Sequence, residues 1–389
     1  MGFRQAWRTM RDYFYDPALN NRDWDQIREK YELAAANCTD RDNYRRVMYM
    51  MLGELNGSHL GFYPKEFPKQ WKFDDAWQQT TPHLGVRLDQ TRTVTFVHPN
   101  GPADQPKSRL FVGDRLIEID GKALRNNVSI TRLLNGRLDR DIILKVKNQK
   151  NKKRLVTIRP INHSQARLLA TSADLDERRV KVESLSKGKL GYLHVARMMW
   201  NEFEKFEQHI YERGAGKEGL IIDVRDNGGG FTADHLLTVL TQPKHSFTIP
   251  RNGKTGFPQD RLVYASWNKP IVVLCNENSF SNAEIFSHAI KTLNRGKLVG
   301  KTTAGGVIST GAKNILDLGQ MRLPFRGWFL LNNGKDMELN GATPHFSIDI
   351  TPNDNTNNRD PQLDKAIEVL TKEVAAQRGK LPKPIYRSK

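Results

Sequence analysis

Two cysteines in 389 residues, Cys38 and Cys275, exclude a disulfide framework. Cys275 lies in an apolar run and reads as a small core residue. Ten scattered histidines offer no metal-ligand spacing, so neither a metal nor a cofactor is expected. No stretch approaches the roughly 18 apolar residues of a membrane-spanning helix, and no apolar signal-peptide core opens the chain. Acidic residues are scarce beside basic ones, 43 against 61, for a net charge of +18. The densest basic run, Lys145 to Arg159, has seven cations and no anion, but no nucleic-acid motif accompanies it. Its alternation, Ile142, Leu144, Val146, then Leu155 and Thr157 around a polar turn, reads as a hairpin with a solvated basic face.

The length calls for two or three domains. Residues 1–60 read as helical: Phe3, Trp7, Met10 and Phe14 share a face, a second helix spans Trp24 to Ala36, and a third starts at the N-cap Asp40 and stops at Gly57. Residues 61–81 read as a linker. From 82 to 161 short strands follow (Gly85 to Leu88, Thr93 to Val97, Arg115 to Ile119, then the hairpin), with a short helix over Val128 to Leu134. The segment Gly113-Asp114-Arg115-Leu116-Ile117-Glu118-Ile119-Asp120-Gly121, behind a Pro102-Ala103-Asp104 loop, resembles the PDZ domains of proteases. That resemblance implies a peptide-accepting edge at Leu84, Gly85 and Val86, or a spacer whose groove is unused. Residues 162–188 read as a polar connection. From 189 to 376 strands and helices alternate as in a layered α/β domain, followed by short strands at Ile315 to Leu316, Met321 to Leu323 and Trp328 to Leu331, and a final helix from Pro361. Residues 377–389 form a basic tail. The chain starts inside what reads as a folded domain, the expectation for a fragment of something longer.

Three segments carry chemistry. In Asn278-Ser279-Phe280-Ser281-Asn282-Ala283-Glu284, Ser281 sits between an apolar strand and a helix. There its hydroxyl lies beside free helix N–H groups that suit a developing negative charge. Taken alone, such a serine is a helix N-cap. Asp226-Asn227-Gly228-Gly229-Gly230 follows a second buried strand; it lacks the phosphate-loop and dinucleotide signatures and suits an oxyanion donor, or a plain tight turn. Ser58-His59, after a helix stop, supplies a base, although an isolated histidine is more often structural.

These segments, the aromatic N-terminal stretch Trp7 to Pro17, Gly305-Gly306-Val307 and Met337 to Pro344 occur in the order of the tricorn core proteases, a branch of the C-terminal-processing serine peptidases, and the chain resembles that family over nearly its whole length. The resemblance implies an α+β multidomain fold: an N-terminal helical domain, a PDZ-like β domain, and a C-terminal layered α/β catalytic domain of the ClpP/crotonase kind. It implies a Ser-His-Ser-Glu tetrad of Ser281, His59, Ser58 and Glu338, with Gly230 and Asn282 N–H groups as oxyanion hole and Gly229 beside the substrate. It implies peptide or unfolded-protein substrates and a homo-oligomer, a hexamer by analogy.

The chain also departs from the family. Where the lysine-dependent branch carries its base, Gly306 stands here, so no Ser-Lys dyad is read. Asn282 replaces an aspartate, which leaves its backbone N–H in place. Thr248 aligns with the carboxylate that selects basic P1 residues, so that preference is not implied. A non-catalytic ligand- or peptide-binding protein on the same fold is the competing reading, but a carrier needs none of Ser281, His59 and Glu338. A PDZ scaffold is a third. A general esterase is disfavoured because Gly-x-Ser-x-Gly is missing. The compartment is open: cytoplasm at face value, periplasm or outside if a leader has been trimmed.

Overall fold

A computed structural model of the chain describes residues 1–65, 81–125, 127–243, 246–249, 251, 265–377 and 383–388. Contacts divide it into two compact units, residues 1–68 with 181–389, and residues 69–180.

The first unit opens with α1 (Gly2–Tyr13), α2 (Trp24–Ala36) and α3 (Arg41–Gly53). Phe3, Ala6, Trp7 and Met10 recur at helical spacing and are all buried. Asp23 and Asp40 cap α2 and α3 by accepting from Gln26 N and Asn43 N. Trp7 and Trp24 lock the first two helices together, each indole N–H donating to the other's carbonyl at 2.7 and 3.0 Å. The third helix ends at Gly53, short of the expected Gly57, and the chain reverses through Asn56 at φ 49°. Residues expected as the start of a linker form β1 (Gly61–Pro64). The rest of that expected linker, residues 66–80, lies outside the described residues.

The second unit holds β2 (Val86–Leu88), β3 (Val94–Val97), β4 (Arg115–Ile119), β5 (Lys122–Ala123), α4 (Ile130–Leu134), β6 (Ile142–Lys147) and β7 (Lys153–Ile158) around one apolar core. Its hairpin corrects one expectation. Leu144 faces Val156 and Ile142 faces Ile158 across the pair, so those four are buried, while Leu155 is 66% exposed and Thr157 also points out. Directly opposed residues of an antiparallel pair share a face, which the sequence pattern had placed one residue out of phase. Three cations of the basic run are paired: Lys145 with Glu118, Arg154 with Asp114, and Arg159 with Asp141.

Residues 163–185, expected as a polar connection, form one long helix, α5 (His163–Leu185). The stretch holds no glycine or proline, and its polarity on most faces hid the helix from a reading based on apolar period.

The chain continues through β8 (Leu190–His194), α6 (Trp200–Gly214), β9 (Gly219–Asp223), α7 (Ala233–Thr241), β10 (Ile271–Cys275), α8 (Asn282–Thr292), β11 (Lys297–Gly300), β12 (Ile308–Ile315), β13 (Gly319–Gly327), β14 (Phe346–Ser347), α9 (Pro352–Thr356) and α10 (Pro361–Gln377). The order β14-β11-β10-β9-β8 makes a parallel sheet, buried on both faces as the continuous apolar runs of β9 and β10 require. Leu220, Ile222, Val273 and Cys275 face α6 to α8, and α10 packs across the strands. Burial pushes the Cys275 thiol up to about 12, which fits its reading as a core residue. The short strands expected between 315 and 331 are in fact one hairpin, β12–β13; Ile315 to Gly319 turns it, and Phe329 makes only a single bridge, to Asp336. β1 adds to its edge, giving the order β1-β13-β12, and α1 to α3 pack on this second sheet through Phe62, Ile315, Met321 and Leu323. Among the described residues, no helix is long and apolar enough to cross a membrane.

At the end of β9 a buried ion network braces the glycine loop. Arg225 donates to Asp223 at 2.7 Å, to Asp360 at 2.9 Å and to Gln362 at 3.1 Å, and Tyr192 Oη donates to Asp223. Burial alone would raise the Asp223 carboxyl, but the Arg225 guanidinium holds it at about 2. Arg225→Ala would leave that carboxylate buried and uncompensated. It is expected to cost about 3–5 kcal/mol in urea denaturation; a loss under about 1 kcal/mol would show that the network is not structural.

Candidate active site

β9 and β10 are adjacent and parallel, so the loops leaving their C-terminal ends lie side by side. One loop carries Gly228 to Gly230, the other Asn276 to Ser281. They are stitched together: Asn276 and Asn278 side-chain amides donate to Asp226 Oδ1 at 3.0 and 2.8 Å, Phe280 N donates to Asn227 O, and the buried Ser279 hydroxyl donates to Val224 O. Gly229 stands at φ 87°, and a Cβ there would lie 2.7 Å from Ser281 Cβ. Only glycine lets the two loops approach this closely.

Ser281 occupies the N-cap position of α8 with φ 57°, in the left-handed region. Its N–H donates to Glu284 Oε1 at 3.0 Å, and its Oγ lies 3.1 Å from His59 Nε2. His59, also at positive φ (60°), stacks on Phe280 with ring centroids 4.7 Å apart and an interplanar angle of 14°. Its Nδ1 lies 2.7 Å from Ser58 Oγ, which donates to Glu338 Oε2 at 2.9 Å. The hydroxyl has one proton. Having given it to the carboxylate, Ser58 accepts from Nδ1–H, and the Nε2 lone pair is left facing Ser281. Glu338 is 4% exposed and also accepts from Ser58 N at 2.5 Å and Val307 N at 2.7 Å. Burial raises its carboxyl above the usual range against the pull of those hydrogen bonds. Burial, and then the charge of Arg322, hold the His59 imidazole down to about 4, so it is a neutral acceptor at pH 7.

Among the described residues, Gly230 N–H and Asn282 N–H have no protein acceptor, and both residues line a cavity of about 530 Å³ with Ser281 and His59. The Asn282 side chain accepts from Ala233 N at 2.7 Å and so sets the start of α7. Gly229 N–H is already spent on Asn227 Oδ1, leaving that residue a steric role. Thr248, half-buried in a single bridge, is not among the residues lining the cavity. Leu84 and Val86 are buried, and Gly85 N–H is taken by His83 Nδ1; β2 pairs only with β3 among the described residues. Lys301 pairs with Asp349. A Cβ at Gly306 would lie 2.2 Å from the Phe280 ring, so a lysine there would displace the ring that backs His59.

One contributor was not singled out from sequence. Glu284 is fully buried and gathers Ser281 N, Thr303 Oγ1, Gly305 N and Gly306 N on its two oxygens. Its spacing, three residues after an N-cap serine, is a capping-box signature that could have found it. Another is Tyr15, whose hydroxyl donates to Asp336 Oδ2 at 3.0 Å, while Asp336 Oδ1 accepts from Glu338 N. The N-terminal aromatic segment is thereby tied to the turn that carries Glu338.

Models of known families match three stretches: peptidase family S41 over residues 189–348, the tricorn protease C1 domain over 2–53, and the tricorn protease PDZ domain over 98–163. Over 96% of its length the chain is 28% identical to a putative tricorn-like protease C-terminal subunit of Sulfurisphaera tokodaii, covering 43% of that protein. Over 95% it is 29% identical to a tricorn protease homolog of Saccharolobus solfataricus, covering 34%. A crystal structure of the tricorn protease superposes with a TM-score of 0.77 at 25% identity, over 96% of this chain and 36% of that one. The chain thus spans 34–43% of the length of these three tricorn relatives.

Two outcomes follow from the geometry. The groups facing His59 are Ser58, Ser281, Arg322 and, through Ser58, Glu338, so its ring is expected to titrate near pH 4 in an NMR titration, well below the ordinary 6.5. A midpoint near 6.5 would contradict the burial described. Gly306→Lys is expected to cost roughly 1–3 kcal/mol and to shift the His59 ring resonances, because Phe280 must move.

Proposed function

This chain belongs to the tricorn-like branch of the S41 serine peptidases, and we propose that it hydrolyses peptide bonds in unfolded proteins or oligopeptides through Ser281, His59, Ser58 and Glu338. The observation that carries this reading is the unbroken chain of contacts from Ser281 Oγ to Glu338, at 3.1, 2.7 and 2.9 Å.

Ser281 Oγ attacks the scissile carbonyl carbon as His59 Nε2 takes its proton. The carbonyl oxygen becomes an oxyanion facing the free N–H groups of Gly230 and Asn282, each worth roughly 10²–10³ in rate. His59 then returns the proton to the leaving amine, and an acyl-enzyme remains. A water, deprotonated by the same nitrogen, releases the acyl group and restores Ser281. Ser58 and Glu338 hold the Nδ1–H tautomer and stabilise the imidazolium that forms in each half. The tricorn relatives prompt the expectation of a homo-oligomer. The edge of β2 that pairs with no strand among the described residues supports capture of an extended peptide beside Val86, with Gly85 N–H unable to share in holding a carboxylate while His83 keeps it.

A fluorophosphonate probe is expected to label Ser281 and no other residue, with labelling lost in Ser281→Ala. His59→Ala is expected to lower kcat for a fluorogenic peptide on the order of 10⁴–10⁶-fold, and Ser58→Ala and Glu338→Gln each roughly 10²–10⁴-fold with strongly non-additive effects in the double variant. Folded protein that neither reacts with the probe nor cleaves any member of a peptide library would favour a binding protein on this fold.

A further inference from the structure

The cavity beside Ser281 contains a cation that the mechanism above does not use. Arg322 projects from β13, opposite Gly61 in the pairing with β1 and opposite Ala312 in the pairing with β12, and lines the same cavity as His59 and Ser281. It is half-buried. Its Nε donates to Thr310 Oγ1 at 3.2 Å, which fixes the plane of the guanidinium. Among the described residues no carboxylate comes within 4.0 Å of it, and its two terminal nitrogens have no protein acceptor. Asp234, also on the cavity wall, is exposed at the start of α7 and makes no ion pair with it.

Two other buried or half-buried guanidinium groups find acceptors within the protein. Arg225 is shared among Asp223, Asp360 and Gln362, and Arg295 donates to the carbonyls of Leu240, Trp267 and Lys269. A half-buried guanidinium in a cavity, with terminal N–H groups that no described residue accepts, presents those donors to whatever occupies the cavity. A planar fork with two free N–H edges fits a carboxylate bidentately, and a neutral amide only poorly.

Building on the peptidase reading, we propose that Arg322 selects peptides carrying a carboxylate beside the scissile bond, either an Asp or Glu side chain or the free C-terminal α-carboxylate. Binding couples to the chemistry. Arg322 is the charge that lowers the basicity of His59 after burial itself. A bound carboxylate neutralises that charge, favours the imidazolium, and makes Nε2 the stronger base only when the right substrate is in place.

The test uses the full chain carrying Ser281→Ala, so that binding is read without turnover. Fluorescent peptides are compared in Glu/Gln pairs at each position from P4 to P4′, and in pairs with free and amidated C-termini. A Glu/Gln difference identifies a side-chain carboxylate; a difference confined to the terminus identifies the α-carboxylate. The expected result is binding of the carboxylate partner at one such place roughly 10- to 100-fold tighter. That preference is expected to vanish in Arg322→Gln and to survive in part in Arg322→Lys, which keeps the charge without the fork. In the Ser281-intact protein, Arg322→Gln is also expected to raise the midpoint of the His59 NMR titration, a change that a purely structural arginine would not produce. Carboxylate and amide partners that bind alike or not at all, or a preference that persists in Arg322→Gln, overturn the proposal. If the intact protein still reacts with fluorophosphonate in that case, the peptidase reading stands without it. If the pairs discriminate and Ser281 does not react, carboxylate recognition stands and the peptidase reading falls.

Discussion

Everything at this site depends on one short antiparallel pairing, that of Gly61–Pro64 with the strand through Gly319–Gly327. His59 lies two residues before the paired segment, so the pairing fixes where its imidazole can reach. The residues it must meet are more than two hundred positions away in sequence, at Ser281 and Glu338. Closing so long a loop is entropically unfavourable, and four backbone pairs do not offset it. The buried face formed by α1 to α3 on β12 and β13 does, through Phe3, Met10, Met48, Leu52, Phe62 and Met321. The N-terminal helices are therefore best understood as the clamp that places His59 against Ser281, which a different sheet holds.

Two buried glutamates divide the remaining work. Glu284 gathers four donors from Ser281 and the segment at 303–306, so that the positive-φ conformation of Ser281 is over-determined by its surroundings. Glu338 takes donors from Ser58 and Val307 and orients the imidazole. The same residue type does both because a buried carboxylate is tolerated only where its lone pairs are filled, and filling them fixes whatever supplies the protons. The glycines follow similar logic. Gly229 admits the loop that carries Ser281, and Gly306 leaves room for the ring that backs His59.

The legible parts of the sequence were those with a local physical cause. The capped helices at Asp23 and Asp40, the buried runs of β9 and β10, and the serine at a strand-to-helix turn are consequences of nearby residues alone. The phase of β7 was misread because which of two alternating faces is buried depends on the opposite strand, and α5 was missed because it is polar on most of its surface. The run from Ile308 to Gly327 was read in fragments, since its pairing with β1 and its contact with the N-terminal helices are what make it a continuous hairpin. Glu284 was overlooked although its spacing announced a capping box; what that box encloses is visible only when residues 303–306 are brought beside it.

Residue order alone, then, settled which chemical groups are present, that Ser281 stands at a helix start and that a glycine loop follows a neighbouring strand, and it carried the family resemblance. Folding decided the rest. The 3.1 Å between Ser281 Oγ and His59 Nε2, the tautomer imposed through Ser58, and, among the described residues, the two unclaimed N–H groups and the guanidinium of Arg322 without a carboxylate partner all arise between segments far apart in the chain. Local propensity acts over a few residues, whereas hydrogen-bond geometry at tenths of an ångström, and the desolvation that sets the basicity of His59, exist only once distant segments have packed.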